Sequence, residues 1–323
     1  MNIRTLKMQA RTALQKASYS PGKLFFLYGA VSLGLGLVIA LLDAVLANSI
    51  AGTGGLAGMQ TRAVLTTAQS VLQLASGIIL PFWQFGLVYG SLQLIRQERA
   101  DGHVLTEGFR RFGPILRLLL MKAVFFMAAI MACSYVSSFL FVLTPLSRSF
   151  TELMTPIVES GDVAAMEAML SDEAAIMELL PTMGGFFVIF LIHVCVICIP
   201  LGYRMSMADF VVMDEGRRGG FGAIRESFRL TRRHCMQLFR LDLSFWWFYG
   251  ISFFVGVLAG LDGLLTMAGV SLPVSAQAAY WICYGAYIVA QLALLTLAAP
   301  KVQTTYAAAY ETLKAEQQKN SHC

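Results

Sequence analysis

The sequence has 323 residues, of which 57% are hydrophobic and 13% are charged, and its formal net charge is +5. A soluble globular domain carries about 25% charged residues, so this composition excludes an ordinary soluble protein and indicates an integral membrane protein. The basic residues follow the pattern of membrane topology described below, so we expect no nucleic-acid partner.

Six apolar stretches predict six transmembrane helices, since each approaches or exceeds the ~20 residues that cross a bilayer core. We place them at residues 24–46, 68–95, 115–143, 183–213, 241–268 and 277–300. The predicted fold class is all-α, a polytopic membrane bundle that forms a single integral membrane domain over residues 1–323. The first stretch follows a basic lead of 23 residues, so we expect a permanent helix rather than a cleaved signal peptide.

The connecting segments differ in charge. Residues 1–23, 96–122 and 214–240 are rich in Lys and Arg, and the tail at 301–323 adds three lysines. The alternate segments hold only Arg62 and Arg148. Because Lys and Arg are retained on the cytoplasmic side, we expect a multi-pass membrane protein with both termini in the cytoplasm. The bilayer and its anionic inner-leaflet lipids are the expected partners.

The segment at 144–182 is acidic, with seven carboxylates against Arg148. We predict an extracytoplasmic loop or cap that contains two short amphipathic helices, because its apolar residues recur at helical spacing. It could serve as a lid or an acidic docking site, but a solvated loop is the favoured interpretation.

An internal repeat is visible in the basic segments. Glu107–Arg110 aligns with Glu226–Arg229 at an offset of 119 residues, and Pro81 and Pro200 share that offset. Pro300 stands at the corresponding end of the sixth helix. We infer three helix hairpins, each preceded by a basic amphipathic interfacial helix, the first of them within residues 1–20. The basic residues expected to face lipid are Arg110, Arg111, Arg225, Arg229, Arg232 and Arg233.

Several segments together carry a family resemblance: Met1–Arg4, Ala10–Arg11, Phe109, Phe112–Gly113, Tyr203–Ala208, Glu226–Arg229, Leu238–Phe245 and Tyr306–Glu311. In this combination the chain resembles the bacterial membrane proteins grouped as domain-of-unknown-function family 975. The resemblance implies a six-helix integral membrane fold and no assigned activity. The long acidic loop and the Gly-rich linker Glu215–Gly222 depart from the family pattern.

The candidate polar site consists of Arg204, Asp209 and Asp242. The repeat equates Arg204 with Phe85 and Asp209 with Gly90, which places both below the membrane surface, where ionisable groups need partners or water. Asp242 opens the fifth helix and could pair with Arg204. A structural contact that fixes the fourth helix against the fifth is favoured over a site that contacts a substrate. Residues that could line the same vestibule are Lys122, Lys301 and Gln303.

Two small-residue and proline patterns bear on helix packing. Gly86–Gly90 and Gly256–Gly260 each have the G-x-x-x-G spacing that allows close helix approach. The prolines in the even-numbered helices are expected to produce fixed bends rather than hinges.

Motifs of enzymes and cofactors are missing from the sequence. It contains no G-x-S-x-G, Walker A or H-E-x-x-H pattern, and no nucleotide-binding glycine fingerprint. His193 lies about 200° around the helix from Cys195, so these residues and Cys198 cannot chelate one metal ion. We therefore expect no catalytic residue, no metal and no cofactor.

Three functions remain open. The first is non-enzymatic transport or handling of a small or amphiphilic molecule. The alternative is a structural or regulatory membrane protein that binds anionic lipid, a protein partner or a second copy of itself. A lipid hydrolase or transferase built on Asp242 and His234 is the least favoured.

Overall fold

The computed structural model describes residues 2–17, 20–52, 56–98, 102–148, 150–152, 155, 173–215, 219–267 and 275–321. Among these residues all regular structure is helical, which confirms the predicted all-α class. The helices are α1 (Ile3–Lys16), α2 (Pro21–Gly52), α3 (Leu56–Ile95), α4 (Glu107–Arg110), α5 (Phe112–Val142), α6 (Glu173–Met205), α7 (Ala208–Glu215), α8 (Gly220–Thr231), α9 (Cys235–Leu243), α10 (Trp246–Leu258), α11 (Leu261–Met267), α12 (Ala276–Leu297) and α13 (Ala299–Ser321). A 3₁₀ helix covers Gly102–Thr106, and residues 146–148 and 150–152 are also helical.

Within the described part of the chain, five helical stretches are long and apolar enough to cross a membrane: Pro21–Leu46, Ala63–Ile95, Phe112–Val142, Leu179–Glu215 and Gln277–Lys319. A sixth span results if α9 and α10, which meet at an angle of 59°, form one broken span. No more than 28% of the most apolar window of any of the five is buried inside the protein. Apolar helices with such exposed faces need lipid around them, which agrees with the predicted polytopic membrane bundle.

The chain divides into two compact units. One consists of Met1–Leu118 and Met207–Cys323, and the other of Leu119–Ser206. In the first unit α2 packs against α3 and α12, and α13 packs against α1 and α3. The second unit contains most of α5 and α6, where the Ser137 hydroxyl and the His193 Nδ1 atom lie 3.1 Å apart.

Both α7 and α13 contribute completely buried residues to the first unit. Val211, Val212 and Met213 of α7 are completely buried, as are Ala307 and Ala309 of α13. Alanine side chains let neighbouring backbones approach closely, so α13 packs tightly although its sequence is not strongly apolar. The segment 301–323, predicted as the cytoplasmic tail, is helical as far as Ser321, and its buried residues lie between Val302 and Leu313.

The fourth predicted helix differs in extent from the structure. α6 begins at Glu173, ten residues before the predicted start at 183, and runs through Pro181 and Pro200. The backbone turns at Ser206–Met207, after which α7 continues to Glu215. The part of the predicted cap that covers residues 156–172 lies outside the described residues, and the part from Glu173 onward belongs to α6.

The short basic helices bury their apolar faces against the protein. In α1 these residues are Leu6, Ala10 and Ala13, and the helix packs on α13. In α8 they include Ala223, Ile224 and Leu230, and this helix packs on α7 and α13. Contact with the rest of the chain therefore accounts for the amphipathic pattern of both helices.

The two aligned copies of the repeat share local structure. Glu107 pairs with Arg110 at 2.5 Å, and Glu226 pairs with Arg229 at 3.4 Å. In each copy the residue after the glutamate, Gly108 or Ser227, is buried while the arginine side chain is exposed. Equivalent ion pairs at equivalent positions support the inferred duplication.

The spacing of Gly86 and Gly90 has a clear structural role. A Cβ atom on Gly86 would lie 2.6 Å from the Leu105 carbonyl oxygen, and one on Gly90 would lie 3.0 Å from Val104. A Cβ atom on Gly108 would overlap the Phe82 carbonyl. The predicted close approach is confirmed here, and the partner of α3 is the 3₁₀–α4 segment. Around Gly256 and Gly260 no described atom lies within 4 Å of such a Cβ atom.

Candidate functional site

A cluster of charged side chains joins three helices of the first unit. Arg96 follows α3, Asp214 lies in the last turn of α7, and Glu311 and Lys314 belong to α13. We call these four residues together with Tyr310 the charged cluster. It contains two cations and two carboxylates, so its formal charge is balanced.

Asp214 is the centre of the charged cluster. Its Oδ1 atom accepts a hydrogen bond of 2.7 Å from Arg96, and its Oδ2 atom accepts one of 2.9 Å from the Tyr310 hydroxyl. Lys314 forms an ion pair with the same carboxylate. Only 8% of the Asp214 side chain is exposed, and a buried carboxylate is stable only when it is paired in this way.

Arg96 links both carboxylates. Its guanidinium donates to Asp214 and, over 2.8 Å, to Glu311. Burial alone would lower the pKa of Arg96, but the hydrogen bonds with Asp214 and Glu311 raise it above the ordinary value. The guanidinium therefore stays charged, and the ion pairs of the charged cluster hold α3, α7 and α13 together.

Two further contacts hold α7 in place. The Phe210 and Tyr310 rings stack with centroids 5.6 Å apart. Arg111 donates a hydrogen bond to the Met213 carbonyl and lies over the Tyr89 ring at 5.1 Å. The last carbonyls of a helix have no partner within that helix, so Arg111 caps the end of α7.

Asp242 belongs to a second polar group of the same unit. It lies in α9 and accepts a hydrogen bond of 2.8 Å from the Tyr249 hydroxyl and another from the Tyr306 hydroxyl. The Ser244 carbonyl, two residues after Asp242, accepts a hydrogen bond of 2.9 Å from the Lys7 ammonium group. Burial lowers the pKa of Lys7. These contacts tie α1, α9, α10 and α13 together.

The predicted polar residues occupy different surroundings. Asp209 lies partly buried in the first turn of α7, and Asp242 is held by two tyrosines. Arg204 is exposed in the last turn of α6 and belongs to the other unit. The pairing of Arg204 with Asp242 stays a prediction.

The predicted lipid-facing arginines also differ among themselves. Arg111 is partly buried and bound to Met213 and Tyr89, so it contacts protein rather than solvent or lipid. The side chain of Arg110 is 76% exposed. The other exposed members of the set are Arg225, Arg229, Arg232 and Arg233.

The charged cluster was not predicted from the sequence. The signal that would have found it is the distance from the repeat prolines: Asp214 and Lys314 each stand 14 residues after Pro200 and Pro300, and Arg96 stands 15 after Pro81. Aligning the prolines across all three copies would have brought Asp214 and Lys314 to equivalent positions, with Arg96 one position further along.

A groove of about 830 Å³ lies beside the charged cluster, between α1, the end of α3 and α13. Glu311 lines it, together with Gln9, Gln97, Thr312 and Glu316. Gln97 has a φ of 58°, in the left-handed region that glycine normally occupies at the end of a helix. A residue held there costs about 1 kcal/mol, and such strain clusters at functional sites.

An apolar pocket of about 540 Å³ lies within the second unit. Phe141 packs edge-on against Phe186 and Phe150, and all three rings line the pocket. Walls of this kind suit hydrocarbon rather than a polar ligand.

Comparison with known proteins gives one family. No curated protein and no solved structure matches the chain. The family model described as protein of unknown function DUF975 matches residues 2–317, which is nearly the whole chain. The match takes in the spans, the charged cluster and Asp242, and it confirms the resemblance found in the sequence. The chain therefore belongs to the DUF975 family of proteins of unknown function.

Proposed function

We propose that this chain is a membrane protein without enzymatic activity that moves or shelters a small or amphiphilic molecule. The observation that carries the proposal is the groove of about 830 Å³ beside the charged cluster. The charged cluster holds three helices together, while the adjoining groove offers polar groups to a ligand. A fixed frame beside an open polar groove is the arrangement expected of a binding site.

The charges of the groove favour one class of head group. Two carboxylates, of Glu311 and Glu316, and one ammonium, of Lys319, line it. Amide and hydroxyl groups of Gln9, Gln97 and Thr312 supply further hydrogen bonds. An amine-bearing head group fits this surface best, because it can hydrogen-bond to carboxylates and carbonyl-type oxygens at once.

Binding of dodecylamine to the full chain in detergent micelles, followed by native mass spectrometry, tests the proposal. Dodecanol serves as the uncharged comparison. Thr312→Phe fills the groove without changing its charge, and Thr312→Val is the matched control of similar size. We expect tighter binding of the amine than of the alcohol, and a loss of about tenfold or more in Thr312→Phe only. Equal binding by all three proteins would refute the groove as the site.

We propose further that the protein resides in a bacterial inner membrane with both termini in the cytoplasm. The distribution of Lys and Arg supports this orientation. The charged cluster, α1 and α8 would then lie at the cytoplasmic side.

The exposed arginines of α8 and the following turn favour a second candidate function, a structural or regulatory protein that binds anionic lipid. Arg229, Arg232 and Arg233 point away from the buried face of α8. Replacing these three by Gln should lower the number of anionic lipids retained in mixed nanodiscs. An unchanged number would count against this function.

An enzyme is the third and weakest candidate. Asp242 is engaged by Tyr249 and Tyr306, while His234 contacts Gln237 at 2.9 Å and Glu316 at 3.5 Å. Different sets of partners hold the two residues, which supports roles other than a shared catalytic pair.

A further inference from the structure

A second polar pocket lies where α2 begins and α12 gives way to α13. Its volume is about 630 Å³. The residues that line it include Ser20, Lys23, Phe26, Thr296, Leu297 and Lys301. This pocket, called the lysine pocket below, draws residues from near both ends of the sequence, so it exists only in the folded chain.

The lysine pocket is positively charged. Lys23 and Lys301 are exposed, and none of the residues that line the pocket is acidic. Among the described residues neither ammonium group has a carboxylate partner, in contrast to Arg96 and Lys314 in the charged cluster. Two uncompensated cations that border one cavity attract an anion, and phosphate is the anion that lysine commonly binds as a point charge.

The lysine pocket lies at the start of α2 and the end of α12, which corresponds to the edge of the hydrocarbon layer. The first candidate span begins at Pro21, two residues before Lys23. α12 has 22 residues, which corresponds to roughly 33 Å, so its end at Leu297 is one bilayer core away from its start. A Cβ atom on Gly22 would lie 3.3 Å from the Thr296 carbonyl, so these two helix ends are in contact.

Apolar side chains adjoin the lysines on the side of the spans. Phe26 is 48% exposed and Leu297 is 69% exposed, and both line the pocket. A ligand that fills the lysine pocket would therefore meet cations at one end and exposed hydrocarbon at the other. A soluble phosphate uses only the first of these surfaces, whereas a lipid uses both.

We propose that the lysine pocket binds the phosphate head group of an anionic membrane lipid. The ammonium groups of Lys23 and Lys301 contact the phosphate, the Ser20 hydroxyl adds a hydrogen bond, and an acyl chain lies along Phe26 and Leu297. The site is separate from the groove at Glu311, so it does not depend on the function proposed for that groove.

Native mass spectrometry of the full chain in detergent, titrated with a diacyl phosphatidylglycerol, tests this site. Diacyl phosphatidylcholine and inorganic phosphate are the comparison ligands. The double variant Lys23→Gln/Lys301→Gln should weaken the first phosphatidylglycerol by about tenfold or more. Arg11→Gln/Lys16→Gln removes the same charge from exposed positions outside the pocket and should change binding by less than about twofold.

Equal losses in the two double variants would overturn the proposal, since the effect would then be one of total charge. Preference for inorganic phosphate over phosphatidylglycerol would overturn the assignment to lipid.

A second pair of variants keeps both lysines. Ser20 precedes the first residue of α2, a position where Asp and Asn are both good caps, so neither replacement should disturb folding. Ser20→Asp places a carboxylate among the lysines and should reduce phosphatidylglycerol binding by about tenfold, while Ser20→Asn should retain it. Undiminished binding by Ser20→Asp would refute the site even if the lysine variants failed to fold.

Discussion

Asp214 and Lys314 occupy equivalent positions in two copies of the repeat, and their side chains form an ion pair with each other. Arg96, one position further along in the first copy, binds the same carboxylate. The charged cluster therefore contains a residue that follows the repeat proline by 14 or 15 positions in each of the three copies. An internal duplication can produce such a site, since residues at equivalent positions need only diverge to complementary charges.

The first prediction concerns the charged cluster. Asp214→Asn removes the carboxylate that Arg96 and Lys314 share. Because both cations are partly exposed and Arg96 keeps its pair with Glu311, we expect a cost of about 1.5–3 kcal/mol. We expect a clearly lower midpoint of thermal unfolding in detergent, followed by intrinsic fluorescence. Glu98→Gln removes the same charge from an exposed position two residues after Arg96 and should leave the midpoint nearly unchanged. Equal midpoints for both variants would show that the cluster adds no stability.

The second prediction concerns the close contact between α4 and α3. Gly108→Ala would force a Cβ atom onto the Phe82 carbonyl and should destabilise the protein by about 1–3 kcal/mol. Gly113→Ala is the matched control, because no described atom lies within 4 Å of its Cβ position. That control should be neutral or stabilising by up to about 1 kcal/mol. Denaturant unfolding of both variants distinguishes them, and an unaffected Gly108→Ala would contradict the packing described.

A third prediction separates a structural from a ligand-binding role for Asp242. If Asp242 has a structural role, Tyr306→Phe removes a hydrogen bond to its carboxylate. The free energy of unfolding should then fall by about 1.5–3 kcal/mol. Tyr249→Phe should cost less, because Tyr249 is 45% exposed. Tyr135→Phe, at a position 72% exposed, serves as the control. Full stability of Tyr306→Phe and Asp242→Asn would favour a substrate-contacting Asp242 instead.

The fourth prediction tests the orientation. In a variant without native cysteines, Lys16→Cys should be protected from a membrane-impermeant maleimide in intact cells and labelled after lysis. Glu152→Cys, which lies in the acidic segment, should be labelled in intact cells. Both reporter positions are exposed, so access depends on the side of the membrane. The reverse labelling pattern would place the termini outside.

Much of the fold follows from the sequence because hydrophobic length determines a membrane span. The start of α6 was misplaced, since Glu178 and Pro181 resemble a boundary whereas the helix runs through both. α13 was missed for a different reason. Its buried face consists largely of alanine, which carries little hydrophobic signal, so its segment was interpreted as a tail.

The candidate site was harder to predict than the fold. Asp242 was identified from its position at the start of a span, but its tyrosine partners lie seven and 64 residues away. Arg96, Asp214 and Glu311 were counted only as topology signals or not at all. Their pairing depends on where α13 returns to α3 and α7, and charge patterning alone does not specify that contact.

The decisive measurement is an experimental structure of the full chain in nanodiscs that contain phosphatidylglycerol and dodecylamine. We expect Asp214 to contact Arg96, Tyr310 and Lys314, and the groove beside Glu311 to be open and to hold the amine. A groove filled by the protein's own side chains, or an Asp214 that contacts the ligand instead of Arg96 and Lys314, would contradict this expectation.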